Sequence, residues 1–160
     1  MIEICLADYH NPHHCLAIRK LIDQYARDDM GQGSPLRQEV YDNLIENLAI
    51  RSWIHIFMAV DGQAIVGIAV CIEGFSTFNG APLLNIHDVY VIPEFRRHGI
   101  ARKLFTHIEN HACKQGFCKL TLEVLEGNLP AQETYRSFGF KPYTINESGG
   151  VAQFWQKYLI

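Results

Sequence analysis

The feature that most narrows what this chain can fold into is a change of period. Residues 83–92 are rich in apolar side chains, as in a strand covered on both faces, and the run stops at Pro93. From Ile100 the spacing is different. Ile100, Ala101, Leu104, Phe105, Ile108 and Ala112 recur three and four residues apart, the stripe of an amphipathic helix that ends near Gly116. A central strand feeding a helix through a short loop points to an α/β fold.

The remaining segments extend that unit. Ile2, Ile4 and Leu6 alternate as in a half-buried strand. Asn11-Pro12 supplies an N-cap and a proline for the first helical position, followed by the stripe Cys15, Ile18, Leu21, Ile22 and Tyr25. Ser34-Pro35 repeats the signal before Leu36, Val40, Leu44 and Leu48, which predicts a second helix to about residue 49. A polar loop, residues 27–33, separates the two. Residues 53–60 and 64–72 read as an antiparallel pair joined at Asp61-Gly62, a type I′ hairpin signal, with a second turn over residues 75–82. Residues 119–125 alternate again, Asn128 caps a short helix ending at Gly139, and residues 140–145 and 151–159 read as closing strands around Gly149-Gly150. The expected order is βααβββαβαββ: one domain over residues 1–160, with a mixed, mostly antiparallel sheet of about seven strands flanked by about four helices.

Composition limits the chemistry. With 160 residues, 48% of them hydrophobic, the chain can build a core without disulfides or a structural metal. A net charge of -3 provides no global field for nucleic acid or anionic lipid, so neither is an expected partner. The longest apolar runs fall well short of the roughly 20 residues of a membrane span, and a basic-then-apolar leader is missing, so a soluble, cytoplasmic protein is expected. The five cysteines are scattered without a C-x-x-C pair and read as reduced thiols. His10, His13 and His14 cluster without a fourth ligand, so no metal is expected.

The stretch from Val89 to Lys103 carries the chemical signal. Arg96, Arg97, Arg102 and Lys103 are four cations with no acid among them, around the small residues Gly99 and Ala101 at a helix start. Helix N-termini offer amide hydrogens and a positive dipole end, so the junction suits a polyphosphate. The plainer reading of the same charges is a solvated helix face.

Arg96-x-x-Gly99-x-Ala101 directly after an apolar strand resembles the acyl-CoA pyrophosphate loop of the GNAT superfamily of N-acetyltransferases. Asn128-x-x-Ala131-x-x-x-Tyr135-x-x-x-Gly139-Phe140 resembles that family's downstream signature, while residues 2–51 match only in layout. The resemblance implies transfer of an acetyl group from acetyl-CoA to a primary amine by direct attack in a ternary complex. It implies that Val89, Tyr90 and Val91 line the pantetheine and that the loop Arg96, Arg97, His98, Gly99, Ile100, Ala101 and Arg102 wraps the pyrophosphate. Asn128 would bond the pantetheine, beside its ordinary role as N-cap. Tyr135 would protonate the departing thiolate, the alternative being a tyrosine packed on a short helix.

A lysine-like ammonium, with a pKa near about 10.4, must lose a proton before it attacks. His87 stands where several small-amine enzymes of the family carry an acid, and would be the base through water; a packed strand histidine is the other reading. A bulge near Val89 would turn an amide toward the thioester carbonyl. Asp28, Asp29, Glu73 and Asp88, with Phe75 and Phe78, fall where the family places the acceptor, a setting that suits a small cationic amine. The alternatives are a protein lysine or N-terminus as acceptor, or a non-catalytic acyl-CoA-binding regulatory module. The resemblance also admits a homodimer built through the C-terminal strands.

Overall fold

The computed structural model describes residues 1–146 and 148–159, which divide into two units, one spanning Met1–Leu122 and one beginning at Glu123. The first unit contains β1 (Ile2–Leu6), α1 (Pro12–Arg27), α2 (Gln38–Ala49), β2 (Ile54–Asp61), β3 (Ala64–Ser76), β4 (Ala81–Val91), a 3-10 turn (Pro93–Phe95), α3 (Ile100–Gln115) and β5 (Leu120–Leu122). The strands form one sheet in the order β1-β2-β3-β4-β5. Its pairs are antiparallel except β4 with β5, which is parallel.

The period-2 alternation divides the sheet residues between two helical layers. Ile56 and Met58 of β2, Ile68 and Val70 of β3 and Tyr90 of β4 pack with Ile18, Leu21 and Ile45, which places α1 and α2 on that face. Phe57, lying between Ile56 and Met58, projects to the opposite face and meets the rings of His107 and His111. This is the α3 face, where Leu104, Phe105 and Ile108 are fully buried. None of the described helices is long and apolar enough to cross a membrane.

Local signals account for most element starts. The Asn11 side chain accepts from the His13 N–H, with Pro12 in the first turn, as expected for α1. The second helix begins later than Ser34-Pro35 suggests. The Leu36 N–H donates to Asp23 Oδ1 at 2.9 Å, so an acid of α1 captures an amide of the approach and helix α2 starts only at Gln38. The β2–β3 loop is Gly62-Gln63, with positive φ at Gly62 alone, so the turn has the II′ pattern instead of the expected I′. The β3–β4 hairpin is longer than expected and turns only at residues 77–80.

The second unit contains α4 (Leu129–Ser137). The expectation of about seven strands is corrected here, since the described residues form five. Residues 140–145 and 151–159 are not strands among the described residues. They share the bond from the Ala152 N–H to the Tyr143 carbonyl (2.9 Å), one rung where a ladder needs several.

Candidate active site

The site begins where β4 changes face. Val70 pairs with Asp88 and Cys71 with Ile86, so His87 is an extra residue in the ladder, a β-bulge two positions before the expected Val89. Ile86 therefore shares the α3 face with Cys71, while Asp88 and Tyr90 share the α1 face with Val70. His87 itself is exposed. The β5 ladder ends at Ile86 and Leu122, and Asn85 Nδ2 donates to Thr121 Oγ1 at 3.1 Å beside that last rung. From His87 to Val91, β4 has no strand on that edge within the first unit. The Tyr25 and Tyr90 rings lie 5.9 Å apart on the α1 face. Burial raises the Tyr25 pKa, reinforced by the charges of Asp88 and Asp28.

The turn into α3 is built from left-handed residues. Arg97 has φ 63°, the positive value found for no other described non-glycine residue, and Gly99 has φ 76°. The conformation costs an L-residue about 1–2 kcal/mol. Between them His98 Nδ1 lies 2.9 Å from the Arg96 carbonyl oxygen. Gly99 is the N-cap of α3 and supplies no side-chain cap, and a Cβ added there would meet nothing within 4 Å. The first-turn amides thus have no intrahelical acceptor and no capping side chain before them, which suits an acyl-CoA diphosphate. At Gly67, by contrast, a Cβ would lie 3.3 Å from Ile100 Cγ2, the Tyr90 carbonyl and Val91 Cγ2, so α3 sits directly on the strands.

The side-chain charges are arranged differently from the simple electropositive loop. Arg96 Nε donates to the Val91 carbonyl at 2.9 Å, Nη2 to Asp28 Oδ2 at 2.6 Å, and the guanidinium lies 5.5 Å from the Tyr90 ring centre. The hydrogen bond from Arg96 holds the Asp28 carboxyl below its ordinary range, and the same bond raises Arg96. Lys103 Nζ donates to the Ile2 carbonyl at 3.2 Å. Arg96 and Lys103, two of the expected phosphate cations, are therefore engaged with protein atoms. No sequence signal marks the Asp28–Arg96 pair, because its members lie 68 residues apart.

The acceptor candidates divide. Asp28 and Asp88 lie with Tyr25 and Tyr90 at the α1 side of β4, and Asp29 is exposed in the loop after α1. Glu73 does not join them. It sits on the α3 face, where its Oε1 lies 2.6 Å from His55 Nε2. Phe75 and Phe78 are 63% and 84% exposed along the β3–β4 hairpin. Among the described residues, no group of three or more His, Cys, Asp or Glu could hold a metal ion.

In the second unit, Asn128 Oδ1 accepts from the Ala131 N–H at 3.3 Å, capping α4. Tyr135 is half-buried, with its ring edge-on to Phe140 at 6.3 Å, and the chain turns back at Gly139 (φ 84°) so that the Phe140 N–H donates to the Tyr135 carbonyl.

The profile of the acetyltransferase (GNAT) family matches residues 17–140. A thialysine N-epsilon-acetyltransferase of Caenorhabditis elegans is 28% identical over 137 residues, 85% of this chain and 82% of that protein. The one from Bos taurus is 31% identical over 86 residues, 54% of this chain, and the match spans only half (50%) of the bovine protein. A ribosomal protein bS18 alanine N-acetyltransferase of Haemophilus ducreyi is 34% identical over 52% of this chain and 54% of its own length. The crystal structure of a possible acetyltransferase from Clostridium difficile 630 superposes with a TM-score of 0.81 at 23% identity, covering 100% of this chain and 99% of that one, a likeness of fold. With an uncapped left-handed turn after a bulged strand and a family profile across most of its length, the chain belongs to the GNAT acetyltransferase family.

Proposed function

We propose that the chain transfers the acetyl group of acetyl-CoA to the primary amine of a small, amino-acid-like molecule. The observation that carries this reading is the edge of β4 beyond Ile86, which has no strand beside it within the first unit and ends in a turn whose cap has no side chain. Likeness to the Caenorhabditis elegans thialysine enzyme over 85% of the chain supports the acceptor class. Acetyl-CoA supplies an activated acyl group and a thiolate that needs a proton on leaving.

The amides from Arg97 to Arg102 hold the diphosphate, and main-chain groups of Val89 to Val91 take the pantetheine as an added strand. Asp88, on the α1 face, draws the cationic amine. His87, exposed on the bulge, accepts the ammonium proton through water, and an amide of the bulged segment polarises the thioester carbonyl. Tyr135 protonates the leaving sulfur. Asn128 keeps its capping bond while its remaining polar atoms serve the pantetheine.

A second reading, acetylation of a protein N-terminus, draws on the likeness to the bS18 alanine enzyme. Free-thiol release from acetyl-CoA, measured with thialysine, a polyamine and an alanine-initiated peptide, separates them. Faster release with a small amine is expected, and release with the peptide alone would establish the second reading. Coenzyme A binding without release for any amine would replace both with a non-catalytic acyl-CoA module.

A further inference from the structure

We infer that Asp28 and Arg96 are positioning residues that transmit occupancy of the diphosphate turn to the loop between α1 and α2, on the acceptor side of β4. This inference rests on the function proposed above and adds a link between its two substrates.

The geometry makes Arg96 a three-way joint. Its Nε holds the last carbonyl of β4 at Val91, its Nη2 holds Asp28 Oδ2, and its guanidinium lies over Tyr90. Its own backbone belongs to the turn before α3, where the Arg96 N–H donates to the Pro93 carbonyl at 3.1 Å and His98 closes on the Arg96 carbonyl. Diphosphate held by the next few amides fixes that backbone and so fixes the guanidinium.

Asp28 stands at the other end of the link and organises its loop. It is the C-cap of α1, its Oδ1 accepts from the Met30 N–H at 3.1 Å, and its carbonyl accepts from the Gly31 N–H at 2.8 Å. The chain then folds back, with the Gln32 and Ser34 N–H groups both donating to the Ala26 carbonyl. Gly31 packs so closely on the Tyr25 carbonyl that a side chain there has no room. At its far end the approach to α2 is pinned by the Leu36 N–H on Asp23. Residues 28–34 therefore move with Asp28, and Asp28 is held by Arg96. Both side chains are partly exposed, 20% for Asp28 and 44% for Arg96, so either can be changed without opening the core.

Asp28→Asn isolates the link, because the amide oxygen still accepts from Met30 while the charge toward Arg96 is gone. Amide hydrogen exchange of residues 28–34 is measured on the full chain with and without coenzyme A, for wild type, Asp28→Asn, Arg96→Gln and Asp28→Glu. Coenzyme A should slow exchange there by about two- to fivefold in wild type, the range of a partly exposed ion pair. The slowing should vanish in Asp28→Asn and in Arg96→Gln, each measured at a coenzyme A concentration that saturates it, and return in part with Asp28→Glu. With thialysine as acceptor, Asp28→Asn should raise the acceptor KM by about two- to fivefold and leave kcat nearly unchanged. Equal slowing in wild type and Asp28→Asn, or none in a wild type that binds coenzyme A, would overturn this inference alone. Failure of wild type to bind coenzyme A would overturn the proposed function and this link together.

Discussion

Replacing Gly67 with alanine tests how firmly the anion-binding turn is seated on the sheet. The added Cβ would lie 3.3 Å from Ile100 Cγ2, from the Tyr90 carbonyl oxygen and from Val91 Cγ2 at once. Carbon atoms prefer about 3.5–4.0 Å, so each neighbour must give by a few tenths of an ångström. The carbonyl is part of β4 and cannot rotate aside, so the first turn of α3 must lift. Overpacking of this kind costs about 1–3 kcal/mol, and the lower unfolded-state entropy of alanine returns about 0.4–1 kcal/mol, leaving a net loss of up to about 2.6 kcal/mol. In a domain of this length each kcal/mol lowers Tm by about 2–4 °C, so a fall of up to about 10 °C is expected. Because the proposed diphosphate amides lie in that turn, coenzyme A affinity should fall with it. Gly74→Ala is the control: its nearest neighbours are side-chain atoms of Leu83 at 3.0 and 3.4 Å, which can move. That variant should change Tm less and leave affinity alone. Thermal unfolding and calorimetric titration with coenzyme A read both quantities. A Gly67→Ala protein with wild-type Tm and wild-type affinity would refute the seating argument.

Tyr135→Phe should lower kcat at least tenfold while acetyl-CoA affinity stays near wild type, read by thiol release and titration; an unchanged rate would remove its role as acid. Gly99→Val forces a branched residue into φ 76°, in the space the diphosphate would approach, and should weaken coenzyme A binding more than Gly67→Ala does. Burial, followed by the charges of His55 and His107, holds the His111 pKa below its ordinary 6.5. The unfolded chain then binds a proton that the native state lacks, so stability is full above that ordinary value and declines as pH falls below it toward the folded value. His111→Gln should flatten that decline in urea titrations run across the window. Burial pushes the Cys71 thiol up to about 12, whereas Cys113 and Cys118 are exposed. At pH 8 iodoacetamide should label the latter two in the native protein and reach Cys71 only after unfolding, as mass spectrometry of the peptides would report.

What could be read from the chain was mostly local. The start of α1 follows from Asn11-Pro12, and the β4-to-α3 junction from Pro93 and the stripe beginning at Ile100, because caps and apolar period act within a few residues. The tight turn before α3 was legible for the same reason. The later start of α2 was not, since it depends on Asp23 reaching Leu36 across the fold. Nor was the division of the acids. Asp88 and Glu73 look alike in sequence, and only the register of β3 against β4 sends one to the α1 face and the other to His55. The expected closing strands show the converse limit, because apolar and aromatic residues over 151–159 say nothing about whether a partner supplies the rungs.

The extra residue at His87 has a consequence for how this strand tolerates change. It reverses parity midway along β4, so the buried Leu84 and Ile86 serve one layer while Asp88 and Tyr90 serve the other. Substitutions in the first half can be selected for packing under α3 without disturbing the half that faces α1. A single-codon deletion at His87 would leave Asp88 opposite Val70 in a regular ladder, so both faces would keep their residues and only the bulge in the edge would be lost. The facing of the strand therefore survives loss of this residue, whereas the shape of its edge does not.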